Sequence, residues 1–165
     1  MQQSMMGYRS VHNLFVRCSS GWMLVDSAGS RTAAEHEFRI ALGESVDGLA
    51  LVRTRVRQLL DGCDESTITD ALLVVDSMVN NAYEHGGTPC AVRLARDASG
   101  ACLWIEVDDT SPSEPQLCEP STTGGFGLLI VSRLTASWGV QRYDHHKTVW
   151  AELELMPPGN VLRGG

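Results

Sequence analysis

The chain has 165 residues, 43% of them hydrophobic and 20% charged, with a formal net charge of −7, which is the size and balance of one globular domain and excludes a disordered or collagenous protein. Its 13 Lys and Arg residues are dispersed apart from Arg53, Arg55 and Arg57 in "VRTRVRQ". No basic face is therefore expected for direct nucleic-acid binding, whereas a basic protein partner fits the acidity, as does acidity for solubility alone. Cys18, Cys63, Cys90, Cys102 and Cys118 are odd in number and form no CxxC pair, so reduced thiols are expected instead of a disulfide framework or a zinc knuckle. No apolar run approaches a membrane span, and the chain does not start on a basic block followed by an apolar one, so a cytoplasmic protein without membrane contact is expected.

Residues 1–35 hold two apolar islands, "HNLFVRC" and "WMLV", without a sustained period; they read as a loosely attached extension or an N-terminal strand. "FRIAL" alternates weakly like a strand, and "GESVDG" offers a turn with a helix cap at Ser45 or Asp47. Leu49, Val52, Val56, Leu59 and Leu60 then recur at helical spacing until Gly62. Arg53 and Arg57, on neighbouring turns of that helix, are a candidate homodimer or partner contact, or an ordinary solvated face. A second helix begins at cap residues Asp64, Ser66 and Thr67 and ends at a double glycine. It carries one apolar stripe (Ile68, Leu72, Val75, Val79, Ala82) and one polar stripe (Ser77, Asn81, Glu84, His85). "CAVRLARD" and "ACLWIEVDD" read as a hairpin, "TSPSEPQLCEPSTTGG" as a loop, and "FGLLIVSRLTASWG" returns to helical spacing. "VQRYD" and "KTVWAELEL" close as a second strand pair, and residues 157–165 form a fraying tail. Residues 36–156 thus make one domain, an α+β two-layer sandwich with helices on one face of a mainly antiparallel mixed sheet.

In that architecture the polar stripe, "EVDDTSP" and "TGGFGLL" converge between helices and sheet. Each has an ordinary reading: a solvated helix face, a turn-forming aspartate, a tight glycine turn. Their functional reading is chemical. Gly124, Gly125 and Gly127, just before a helix, would let backbone amides approach a phosphate at the helix N-terminus. Asn81 is a suitable oxygen ligand for Mg²⁺, which takes few protein oxygens beside nucleotide phosphates. Asp109, at a strand end, offers an acceptor for an exocyclic amine such as that of adenine.

The ordered set "NNAYEHGG", "WIEVDDTSP", "TGGFGLLIV" and "KTVWAEL" resembles the N-box, the two glycine boxes and the closing threonine strand of the GHKL ATP-binding fold. Within it, the likeness is greatest to the small anti-sigma-factor serine kinases of Gram-positive bacteria and their single-domain relatives, over about Phe38 to Leu155. The resemblance implies an ATP or ADP site with Mg²⁺. In it Asn81 would bind the metal and His85 would stand one turn later. Asp109 would read the adenine amine, Gly125 and Gly127 would form the second glycine box, and Thr148 would support the network of Asp109. "SPSEPQLCEPST" resembles a short ATP lid. Implied partners are a sigma factor and a STAS-type anti-sigma antagonist.

The chain departs from that pattern where the general base should be. Active kinases of the group carry a glutamate four residues before the N-box asparagine, and this chain has Ser77. A hydroxyl without its own base forgoes a proton-transfer contribution of roughly 10² to 10⁴ in rate. Asp76 lies about 100° around the helix from Ser77, and Glu84 is on the polar stripe but beyond Asn81; these are the surrogate candidates. Phe126 between Gly125 and Gly127, "DDTSP" in place of a glycine-bearing turn, and His146 in place of a glycine are smaller departures. Three readings follow from the resemblance: an anti-sigma-type transcription regulator with weak or absent kinase activity, an active serine protein kinase acting on the antagonist, or a nucleotide-free interaction domain. A sensor histidine kinase is disfavoured, since no helical hairpin with a phosphoacceptor histidine precedes the box residues.

Overall fold

The computed structural model describes residues 13–18, 21–26, 31–33, 36–43, 47–85, 90–97, 99–110 and 126–155. The cap candidate Ser45, the double glycine, the lid-like loop, Gly124, Gly125 and the tail lie outside the described residues.

Within the first 35 residues run three strands, β1 (Asn13–Cys18), β2 (Gly21–Asp26) and β3 (Arg31–Ala33), paired antiparallel in the order β1-β2-β3. The larger sheet takes β4 (His36–Leu42), β5 (Cys90–Arg96), β6 (Cys102–Asp109), β7 (Ser137–Arg142) and β8 (Lys147–Glu154) in the order β4-β5-β6-β8-β7. All its described pairings are antiparallel. Between the strands lie α1 (Asp47–Leu59), α2 (Glu65–His85) and α3 (Phe126–Leu134).

Local chemistry sets the helix ends. α1 stops because Gly62, at φ 84, takes the left-handed conformation that a helix C-terminus favours. Its last carbonyls are also capped from the sheet, where Arg96 at the end of β5 donates through Nη1 to the carbonyl of Leu59 at 2.9 Å. α2 is started by Asp64: its Oδ1 accepts from the Thr67 backbone N–H at 2.8 Å and its Oδ2 from the Thr67 hydroxyl at 3.0 Å. The Ser66 hydroxyl, with the Thr67 donors behind it, lowers the Asp64 carboxyl to about 2.

The helices cover one sheet face and build the core there. Val52, Val56, Leu59 and Leu60, with Val74, Val75, Met78 and Val79 of α2, pack against Ile40, Leu42, Val92, Leu94, Leu103, Ile105, Val107, Val149 and Leu153. The period of two in the strands explains the choice: Leu103, Ile105 and Val107 alternate with Trp104, Glu106 and Asp108, which take the outer face. The expected α+β two-layer sandwich is therefore observed. The third helix is shorter than its spacing suggests. It ends at Leu134, the Ala136 N–H already reaches the Glu152 carbonyl of β8 at 2.9 Å, and Ser137–Gly139 belong to β7. Trp138 and Val140 lie on the core side of this strand, and apolar residues that suit a helix suit an alternating strand equally well. No helix among the described residues is long and apolar enough to cross a membrane.

Candidate functional site

The chemistry collects at the sheet end where β6 finishes and β8 begins. Asp109 continues the inward row of Leu103, Ile105 and Val107, so its carboxylate opens toward the helical layer, with only 1% of the side chain exposed. Register sets Lys147 opposite it on β8. Lys147 Nζ lies 3.2 Å from Asp109 Oδ2, and that side chain is 4% exposed. Burial of either charge alone would be costly, and the pair neutralises both. A carboxylate has two oxygens and about four acceptor positions, so one held by an ammonium group can still accept from a ligand.

One turn below Asn81 on α2, Ser77 meets the start of α3. A Cβ on Gly127 would sit 3.5 Å from the Ser77 carbonyl oxygen and 3.9 Å from its Cβ. Gly127 therefore brings the first turn of α3 against the polar stripe of α2. Ser77 and Asn81 are half-buried, Glu84 is exposed, and His85 closes the helix, its side chain being outside the described residues.

Thr148 and Asp76 each have a defined partner. Thr148 reaches the aspartate next to Asp109. Its hydroxyl donates to Asp108 Oδ1 at 2.6 Å, because Thr148 and Asp108 are register partners on the outer face while Asp109 and Lys147 point inward. Asp108 is in turn held by Arg93 Nη2 at 3.1 Å, and the same guanidinium contacts Glu106 at 2.5 Å. Burial raises the Glu106 carboxyl above its ordinary value, against the lowering effect of Arg93. Asp76 is likewise committed elsewhere. Arg53 of α1 grips both its oxygens, Nε to Oδ1 at 3.0 Å and Nη2 to Oδ2 at 2.9 Å, which also raises the arginine above its ordinary value. Arg57 pairs with Glu65 at 3.6 Å, so both arginines of the candidate partner face tie α1 to α2.

The residue that the sequence reading passed over is Lys147. The available signal was its place beside Thr148, two strand ends from Asp109, but only the register makes it a partner.

The donor set fits an adenine nucleotide with Mg²⁺. A buried acceptor faces inward at the strand end, a neutral oxygen donor lies on α2, and a helix N-terminus with a glycine in its first turn lies beside it. Among the described residues no cluster of three or more His, Cys, Asp or Glu side chains could hold a metal, and a nucleotide-borne Mg²⁺ needs only one or two protein oxygens.

The comparisons with known proteins point the same way. No curated protein matches the chain. A solved structure of the RsbU and RsbW domains of a Mycobacterium tuberculosis protein superposes with a TM-score of 0.55 at 23% identity, over 76% of this chain and 34% of that one. At that identity the likeness concerns the fold, and the chain spans about a third of that neighbour's length. The model of the histidine kinase-like ATPase domain matches residues 37–153, from β4 to the end of β8. With its helical layer over an antiparallel sheet and its boxes in order, the chain belongs to the histidine kinase-like ATPase domain family.

Proposed function

We propose that the chain binds ATP or ADP with Mg²⁺ between α2, α3 and the β6–β8 end of the sheet, and that it acts as an anti-sigma-type regulator, gripping a sigma factor and answering to an antagonist protein. The observation that carries the reading is the buried Asp109 carboxylate on the helix-facing side of β6, at the sheet end where β8 supplies Lys147. In this reading Asp109 accepts from the adenine amine, Asn81 holds the metal, and Gly125 and Gly127 let the amides at the start of α3 meet phosphate. His85 stands one turn beyond Asn81 on α2, and Thr148 donates to Asp108, the neighbour of Asp109. Mg²⁺ would neutralise phosphate charge when bound.

Kinase activity is weak or absent in this proposal. The base position is Ser77, packed beside Gly127, and Asp76 is turned to α1 in a two-pronged contact with Arg53. Glu84 is the remaining carboxylate on the stripe. The second reading, an active serine kinase, would show itself as phosphate transfer to a candidate antagonist that Asn81→Ala abolishes.

Calorimetric titration with ATP and Mg²⁺ tests the site, with Asn81→Ala and Asp109→Asn alongside. Saturable binding that both variants lose is expected. No detectable heat at millimolar nucleotide, with the wild-type protein folded, would leave an interaction domain that keeps only the fold.

A further inference from the structure

A second cleft opens at the sheet end away from Asp109. The inner face closes there on the rung of His36, Arg96 and Leu103, and Leu103 stands six residues before Asp109 on β6, roughly 20 Å along the strand. Beyond the end of α1 a cavity of about 430 Å³ has Phe38, Leu59, Asp61, Arg96 and Asp97 among its walls, room enough for a small molecule. None of the residues assigned to the nucleotide site lines it.

Arg96 is the unusual wall. Its half-buried guanidinium donates through Nη1 to the Leu59 carbonyl at 2.9 Å and through Nη2 to the Gly100 carbonyl at 3.2 Å, and Nη2 lies 3.7 Å from Cys63 Sγ. The two carbonyls carry no charge to set against it. Arg53, Arg57 and Arg93 each pair with a carboxylate, whereas no carboxylate among the described residues pairs with Arg96, and its buried Nε–H meets no acceptor. The β5–β6 turn closes on the group: Gly100 is left-handed at φ 72, and a Cβ there would stand 3.2 Å from Nη2. A cation held this way, with donors to spare, suits a carboxylate, whose two oxygens match its planar fork.

The same cavity carries the opposite sign on Asp61, exposed just past α1, and on Asp97, half-buried at the end of β5. Asp97 is fixed by the Cys102 N–H, which donates to Oδ1 at 2.7 Å, and by the Ser99 hydroxyl on Oδ2. A simple anion would meet these two carboxylates, and a simple cation would meet Arg96. A zwitterion answers both, and Phe38 and Leu59 add an apolar wall. We propose that the cleft is a binding site for a free α-amino acid with an apolar side chain, its carboxylate on Arg96, its ammonium group facing Asp61 and Asp97, and its side chain on Phe38 and Leu59. Because Arg96 joins the last turn of α1 to the β5–β6 turn, the occupant braces both.

Calorimetric titration of the full chain with L-phenylalanine tests this, with hydrocinnamate and phenethylamine as analogues that lack the ammonium group and the carboxylate in turn. Saturable binding of L-phenylalanine is expected, with either analogue weaker by roughly tenfold or more, because one charge of the site stays unanswered. Asp61→Asn, at an exposed position, should weaken L-phenylalanine several-fold and leave hydrocinnamate unchanged. Arg96→Lys, checked for folding by circular dichroism, should weaken both. Asn81→Ala should leave the titration unchanged, which separates the cleft from the nucleotide site. The proposal is overturned if L-phenylalanine and L-leucine both give no heat at millimolar concentration, if either analogue binds as tightly as L-phenylalanine, or if Asp61→Asn changes nothing. Binding that Asn81→Ala abolishes also overturns it, since the amino acid would then sit at the other end of the sheet.

Discussion

Asp109 and Lys147 show how much a single cross-strand rung decides. Both side chains are at most 4% exposed and pair at 3.2 Å. Lys147→Met is therefore expected to lower stability by about 3–5 kcal/mol, the range for breaking one half of a buried pair, measured as a drop in the urea midpoint with unchanged m-value. The double variant Lys147→Met/Asp109→Leu should recover part of that loss, since it removes both buried charges. Asp109 was legible in the sequence as an aspartate closing a strand. Its lysine was not, because a partner on another strand is chosen by register, which local pattern does not contain. The same limit explains Thr148: in one dimension "DD" offers two candidates, and the alternation of β6 alone assigns the threonine to Asp108.

At the scale of elements, caps and tight approaches carry the predictions. Asp64 anchors the start of α2 through donors from Ser66 and Thr67, which hold its folded carboxyl at about 2 against an ordinary 3.8. A lowered carboxylate contributes stability that is present above its unfolded value and is lost as pH falls through the folded one. Asp64→Ala should thus lower the denaturation midpoint at pH 7, with a difference from wild type that shrinks between about pH 4 and pH 2. Gly139 of β7 makes the second case. A Cβ there would stand 2.8 Å from Cζ2 of Trp150, a rigid ring already packed on Trp104. Gly139→Ala is expected to cost about 1–3 kcal/mol as overpacking and to shift the tryptophan emission, which a fluorescence-detected melt would show. Existence and order of the elements from β4 onward could be read from periodicity and caps. The boundary between α3 and β7 could not, because Trp138 and Val140 satisfy either period until β8 offers a neighbour.

Over the whole molecule, the nucleotide site predicts a linkage. A ligand that binds only the folded chain stabilises it by mass action, so in the proposed reading saturating ATP with Mg²⁺ should raise the melting temperature, by the equivalent of about 2.7 kcal/mol at a ligand concentration of 100 Kd. Asn81→Ala should remove the shift, and sodium chloride at matched ionic strength should not produce it; a differential scanning fluorimetry series suffices.

The sequence by itself determined the succession of helices and strands from β4 onward, the cap of α2, the stop of α1 at Gly62 and the ordered boxes of the ATPase family, because each rests on neighbours a few residues apart. Only the tertiary structure decided which aspartate faces the helices, that Arg53 holds Asp76 away from Ser77, that Gly127 approaches Ser77, and that Lys147 is buried. Those outcomes depend on sheet register and on which helix packs beside which, distances that close only when the chain returns upon itself.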